Sequence, residues 1–493
     1  MINIQPAFGA ADRFASRRIW MVGIIVGAVI LRLFHLTAPS LWVDEGFSIQ
    51  VAVLDRARPV ELIMGDTHPP LYYFSLLAWT SVFGAGEYAL RSLSVFFGVL
   101  TIPVVFSIGR LLAGTQVGLI AAALLATSPI HVQYSTEVRM YSLLPLMVSV
   151  ALWGAVRFAM APAHPKATLQ GVGAFAIGSV LAAWTQIAGL FVIPSASLFM
   201  VLGWYFGGRA RSAALLWLTG NIVVLIVLLA SVPMFVTLMH NAAGLAGWIP
   251  APTVRVIGET VGSLLAQKLI PIVPYGILAL VAGGFALAAA GGAWDWRRDP
   301  PKIGFVVLIG ILPFCLTIAV SLILKPIFIT RIHLWSLIPI YLMIAAAIVA
   351  LRGRLAGTFL IVFLSLCQTV GLYAYHFDWG RPDWRSAIAL ISASSKDTDI
   401  IVTPPAPGVD AVIGYYAPRL RPLVLPVAET SELPAMMAAT EGRSVWNVTS
   451  PWHDRVDATA LANALAQRHV PSPPVSFLLV TVQLWRSPPS GSE

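Results

Sequence analysis

WMVGIIVGAVILRLFHLTAPSLWVDEGFSIQ, residues 20–50, decides how the chain is to be read. Its first part, residues 20–37, is an apolar run long enough to cross a bilayer. A helix of about 20 apolar residues spans roughly 30 Å of hydrocarbon. Two adjacent carboxylates, Asp44 and Glu45, follow where such a helix would leave the lipid. Similar runs recur through the first 375 positions. The 493 residues are 58% hydrophobic and only 11% charged, with a mean hydropathy of +0.82. Soluble domains carry about 25% charged residues, so a purely soluble fold is excluded.

The expected architecture is an α-helical polytopic membrane protein with about 11 spans, near 20–37, 88–111, 116–133, 140–160, 169–184, 187–206, 212–237, 272–292, 303–324, 332–350 and 355–375. No small-residue cleavage site follows the first run, so it reads as an anchor. The net charge of +9 does not form a nucleic-acid-binding patch. Its arginines and lysines fall in alternate short loops, among them Arg17, Arg18, Arg110, Arg157, Arg209, Arg211, Arg297, Arg298, Arg352 and Arg354. The positive-inside rule places those loops, and the N-terminus, in the cytoplasm. Cys315 and Cys367 both lie in apolar runs and read as buried packing residues. Residues 1–375 form the expected membrane domain and 376–493 a small α/β extracytoplasmic domain. In the latter, DWRSAIALISASS, TDIIVTP, SVWNVTS, DATALANALAQRH and VSFLLVTVQLW alternate helix-like with strand-like patterns.

Two further outer regions are expected, a long first loop (38–87) and a Gly/Pro-rich loop near 238–270. The first holds the carboxylates. Asp44 could simply cap a short interfacial helix beginning at Glu45. Alternatively, a carboxylate at the membrane boundary is a candidate general base, since partial desolvation makes it a better proton acceptor. GDTHPPLYYFSLLAW (65–79) adds Asp66, His68 and Tyr72, with its aromatic residues suited to the headgroup level. Asp44, Asp66 and His68 together could hold a divalent metal ion. YSTEVRMYSLLP (134–145) brings Glu137, Arg139 and Tyr141 to the start of the fourth span. Either this charged pair snorkels at the interface, or it is functional, as ionisable groups at membrane depth usually are. KPIFITRIHLWSLIPI (325–340) supplies Lys325, Arg331 and His333 at the mouth of the tenth. The planar fork of arginine suits phosphate, which makes Arg139 and Arg331 candidate clamps.

Taken in order, LWVDEGFSIQ, THPPLYYF, STEVRMYSL, KPIFITRIHLWSLIP and RPDWRSAIALI resemble the GT-C class of membrane glycosyltransferases. The resemblance is to the protein O-mannosyltransferase and lipid A aminoarabinose transferase superfamily, and runs from about residue 20 to 400. It implies an inverting transfer of one sugar from a polyprenyl-phosphate donor to a hydroxyl of a lipid, glycan or protein acceptor. The setting it implies is the outer face of a bacterial cytoplasmic membrane, with the C-terminal domain periplasmic. It assigns the base to Asp44 and the donor phosphate to Arg331; from the residues themselves, Glu45 could orient Asp44, and Arg139 and Lys325 could join Arg331 on the phosphate. His68, Tyr72, Glu137, Tyr141 and Gln186 would line the cavity. Gln186 stands in WTQIAG where relatives tend to have histidine, and Arg331 is followed by Ile332 where they have tyrosine. Two other readings remain: a ligase or polymerase moving a preassembled lipid-linked glycan, and a lipid or sugar transporter. A transporter would place ionisable groups near the midplane of two related halves.

Overall fold

The computed structural model describes residues 10–160, 164–245, 249–265, 275–324, 326–378, 380–403, 408–427, 429–451 and 458–488. Among them, eight helices are long and apolar enough to cross a membrane. These are Glu87–Ala113, Leu143–Met160, Pro165–Thr185, Ile187–Phe206, Arg211–Ala230, Pro300–Ile323, Thr330–Ala350 and Leu355–Asp378. The protein is a multi-pass membrane protein. The three other expected spans also contain helices: Ala10–Leu33, Thr115–Ala126 and Tyr275–Trp296. The expected run 116–133 is broken. Ser128 takes an extended conformation and Pro129 opens a second short helix, Pro129–Tyr134, because proline disfavours helical backbone at the residue before it. The loop expected at 238–270 is partly helical too, in Val232–Leu245 and Val254–Leu265. Cys315 is exposed on its helix face, contrary to the expected burial, whereas Cys367 is buried.

The chain divides into two compact units. The first comprises Met1–Phe34, Ile63–Tyr72 and Arg91–Asp378. Small residues let its helices approach closely, the packing device of membrane bundles. A Cβ on Gly154 would sit 2.3 Å from the backbone nitrogen of Phe175, and one on Gly178 would sit 2.4 Å from that of Ala151. Only glycine fits at these two positions.

The second unit comprises His35–Leu62, Tyr73–Leu90 and Trp379–Glu493. Its centre is a six-stranded sheet: β1 (Ile400–Thr403), β2 (Val424–Pro426), β3 (Val445–Thr449), β4 (Val470–Pro471), β5 (Val475–Phe477) and β6 (Val480–Arg486). The order is β2-β1-β3-β6-β4, with β5 also paired to β6. β1 is parallel to β2 and β3, whereas β6 is antiparallel to β3. The expected run VSFLLVTVQLW is therefore not one strand. It folds back at Leu479, a non-glycine residue with φ +55°, so β5 and β6 form a hairpin.

Strand alternation sends side chains into two cores. Ile401, Trp446, Val448, Val480 and Val482 pack with helices Trp384–Ser394 and Val409–Tyr416. Ile400, Val402, Val445 and Trp485 pack with Leu433–Ala439 and Ala458–Ala466. This is a small three-layer α/β fold. The first core also contains Val43, the neighbour of Asp44 in sequence.

Candidate active site

In the second unit, Asp44 lies in the first turn of a seven-residue helix, Val43–Ile49. The helix begins two residues earlier than an Asp44 cap requires, so Trp42 occupies the cap position. Glu45 reaches back, its Oε2 accepting the Trp42 backbone N–H at 3.3 Å. This satisfies a donor that the helix start leaves open. Glu45 is fully buried and lies 3.8 Å from the Arg381 guanidinium, whose side chain is 3% exposed. The Arg381 head also stacks over the Trp42 ring at 5.9 Å. Asp44 is half-buried. The two carboxylates thus differ: Glu45 is committed to structure, and Asp44 retains access to solvent.

The first unit gathers the other candidates. Asn241 donates to the carbonyls of Met64 (2.7 Å) and Asp66 (2.9 Å), fixing the segment before His68. The His68 Nδ1 lies 2.9 Å from Thr67 Oγ1, 3.3 Å from Asp66 Oδ2 and 3.5 Å from Arg139 Nη2. One ring nitrogen cannot donate to Asp66 and accept from Arg139 at once. With a hydrogen on Nδ1 shared by Thr67 and Asp66, Arg139 acts on the ring by charge alone. Burial holds the His68 ring below the ordinary histidine range. Asp66 opposes this, and the nearby charges of Arg139 and Arg331 add to it.

Both arginines converge on Tyr141. The Arg139 guanidinium is 5.9 Å from the centre of the Tyr141 ring and that of Arg331 is 5.3 Å. Residues 135–142 form turns and not the first turn of the fourth span, which starts at Leu143. Their backbone is tied down locally. The Arg139 N–H donates to the Glu137 carbonyl at 2.7 Å, and the Arg139 carbonyl accepts from Ser94 Oγ at 3.3 Å. Ser94 is in turn bonded to the Tyr72 hydroxyl at 2.9 Å. Gln133 donates to Glu137 at 3.4 Å. Tyr72, Tyr141, Glu137 and Arg139 are all buried, at 0%, 1%, 1% and 7% exposure. Enclosed in this way, Glu137 and Arg139 do not snorkel.

Gln186 ends the helix Pro165–Thr185 and is buried, with no hydrogen-bond partner for its Oε1 among the described residues. Lys325 lies outside the described residues. Among those described, no group of three His, Cys, Asp or Glu side chains is placed to hold a metal ion. Within the first unit, Asp66 and His68 form a pair at 3.3 Å, and the Arg139 guanidinium beside it opposes a second cation there.

Two features, at Arg32 and Glu87, escaped the sequence reading, and His333, which it named, is enclosed by aromatic rings. Arg32 is fully buried, donating to the Ala28 and Ala126 carbonyls at 3.0 Å each and meeting His131 Nδ1 at 2.9 Å. An ionisable residue inside the first apolar run was the available signal. His333 is buried between the rings of Phe314 and Phe328, each 4.7 Å away. In the second unit, Glu87 accepts from Arg385 (2.7 and 3.3 Å) and from the Tyr416 hydroxyl (3.0 Å).

A helical membrane bundle with a small α/β sheet is a GT-C-like fold. Residues 67–240 match the family model described as dolichyl-phosphate-mannose-protein mannosyltransferase. Among solved structures, the fold is similar to ArnT from Cupriavidus metallidurans bound to undecaprenyl phosphate, at a TM-score of 0.57 and 14% identity, covering 94% of this chain and 98% of that one. It is also similar to the Archaeoglobus fulgidus oligosaccharyltransferase in complex with Zn and sulfate (0.53, 14%, 87% and 67%). A third similarity is to the mycobacterial arabinofuranosyltransferase AftD (0.53, 12%, 94%), of whose length this chain spans 40%. No curated protein matches the chain in sequence at a significant level.

Proposed function

We propose that the chain is an inverting glycosyltransferase that moves a single sugar from a polyprenyl-phosphate donor to a hydroxyl acceptor. The setting we propose is the outer face of a bacterial cytoplasmic membrane, with the N-terminus inside and residues 376–493 outside. The observation that carries the reading is the meeting of Arg139 and Arg331 on Tyr141, beside a His68 ring kept neutral. Two like charges gathered in a partly dehydrated site repel each other, and an anion relieves that cost. A phosphate monoester matches the fork of arginine.

In this mechanism the acceptor oxygen attacks the anomeric carbon as the bond from that carbon to the phosphate oxygen breaks. The acceptor proton passes to the Asp44 carboxylate. The polyprenyl phosphate leaves with the bonding electrons and is held by Arg331 and Arg139. A phosphate is a weak base, so the leaving group needs charge neutralisation more than protonation. A positioned base contributes typically 10²–10⁴-fold. One carboxylate is enough for inversion, since a retaining route needs a second as nucleophile. The burial of Glu45 against Arg381 suits support for Asp44 over chemistry of its own.

The test uses purified full-length protein with a panel of hexosyl and pentosyl polyprenyl phosphates. Release of lipid phosphate and mass of the product are followed by mass spectrometry. One added sugar, lost in Asp44→Asn while donor binding persists, supports the reading. Normal turnover by Asp44→Asn refutes the base, and transfer of a glycan block refutes single-sugar transfer.

A further inference from the structure

We infer that the C-terminal α/β fold positions Asp44, through Gly46 seated on Gly408 and Glu45 paired with Arg381. The inference rests on Asp44 being the base, and adds a role for residues 380–488 that the chemistry alone does not assign.

Three consecutive contacts carry it. Val43 belongs to the core that contains Trp384, Ile388, Val409 and Val412. Gly46 meets Gly408 backbone to backbone: a Cβ built on Gly46 would lie 2.2 Å from the Gly408 carbonyl oxygen and 2.7 Å from its Cα. A Cβ on Gly408 would lie 2.6 Å from the Val43 carbonyl oxygen. Gly408 holds φ at +101° as the residue that opens the helix Val409–Tyr416, a conformation for which side chains are strained. Two glycines therefore interlock where no side chain fits on either. Glu45, fully buried, is bridged to Arg381 at 3.8 Å.

Helix geometry gives these contacts a direction. At about 100° per residue, positions 43, 45 and 46 fall on one half of a helix and position 44 points out of the other. The α/β fold grips the helix by the face opposite Asp44. It sets the axial register through the glycine pair and the rotation through the buried ion pair. An interlock of backbones is stiffer than one of side chains, because no rotamer can absorb a shift.

Ordinary Cβ contacts lie at 3.4–4 Å, so Gly46→Ala forces the helix and Gly408 apart by more than about 1 Å. A misplacement of that size costs roughly 100-fold in a well-oriented reaction. The experiment compares Gly46→Ala, Arg381→Gln, Arg381→Lys and Met437→Ala in the full-length protein, using a donor that the wild type turns over. Met437 packs on the other face of the sheet, so its truncation controls for general loosening of the fold.

Expected are a kcat lowered roughly 100-fold by Gly46→Ala, a donor KM within about twofold, and faster amide exchange over residues 43–49. Arg381→Gln lowers kcat as well, Arg381→Lys restores part of it, and Met437→Ala lowers melting temperature but not kcat. Wild-type kcat in folded Gly46→Ala, or an equal loss in Met437→Ala, overturns the inference. If Gly46→Ala does not fold, the Arg381 pair decides: equal activity of the Gln and Lys variants overturns it. Asp44→Asn separates the two readings, since an active Asp44→Asn sinks the base assignment. An inactive Asp44→Asn beside a fully active Gly46→Ala sinks positioning alone.

Discussion

Replacing Glu87 by alanine tests what fastens the first outer loop to the C-terminal fold. Its carboxylate receives three hydrogen bonds: Arg385 Nη2 at 2.7 Å, Arg385 Nε at 3.3 Å and the Tyr416 hydroxyl at 3.0 Å. Tyr416 in turn accepts the Leu41 N–H at 2.8 Å, and Arg385 also donates to the Thr37 carbonyl at 3.0 Å. Arg385 is 40% exposed, which screens its ion pair to no more than about 1 kcal/mol. The Tyr416 bond adds about 1 kcal/mol. Loss of an anion from the first turn of the helix Glu87–Ala113 adds roughly 0.5 kcal/mol. The total is about 2–3 kcal/mol. At about 2–4 °C per kcal/mol for a unit of this size, melting falls by roughly 5–10 °C. Differential scanning fluorimetry measures the melting shift, and amide exchange at Leu41 reports the local event, because its hydrogen-bond acceptor loses an anchor. Glu87→Gln keeps an acceptor for Tyr416 and lies between wild type and alanine. A shift under about 1 °C in Glu87→Ala, with Leu41 still protected, refutes the argument.

The remaining expectations concern donor binding and pH. Arg331→Ala and Arg139→Ala should each raise the donor KM roughly 10–100-fold, the loss of one charge-assisted contact of about 1.5–3 kcal/mol, and steady-state kinetics with unchanged KM would count against the clamp. Asp55 is bonded to Arg421 at 2.9 and 3.3 Å, which holds its carboxyl below the ordinary 3.8. A depressed acid stabilises the fold above its ordinary value and loses that effect as pH falls through the depressed one, so Asp55→Asn should lower the melting temperature at pH 7 and flatten its acid decline. His68 is depressed from the ordinary 6.5. For a base the neutral form is the favoured one, so its contribution is complete above that value and is lost as pH falls below it. His68→Gln should remove that part of the pH dependence of melting. A wild-type profile in either variant refutes the assignment.

The residues show why some of this was legible in the sequence and some was not. Spans such as Leu143–Met160 announce themselves because lipid demands continuous apolar length. β1 and β3 were readable from β-branched runs, whereas β2, three residues long, carries no pattern of its own. Asp44 drew notice as a carboxylate beside an apolar run, yet nothing local indicated that Gly46 must lack a side chain. That requirement is set by Gly408, hundreds of positions away. Glu87, Arg385 and Tyr416 likewise acquire their meaning only in pairing across 298 and 329 positions. For Glu137 and Arg139 the sequence left an interfacial pair and a functional one both open, because it gives no hint of the turns that bury them.

The buried charges also argue about the order of causes. Arg32, Glu45 and Arg381 each cost desolvation that their partners offset only in part, and removal of one partner from such a pair is destabilising by several kcal/mol. Packed apolar side chains would stabilise these places at least as well. Charges persist where geometry matters more than stability, since a charged pair accepts only a few arrangements and an apolar contact accepts many. Arg32 holds the carbonyl of Ala126 and the ring of His131 on either side of the helix break, just before the turns that carry Arg139. Glu45 and Arg381 do the same for the helix that carries Asp44. In each unit the costly charge stands next to the element whose placement the proposed reaction depends on most.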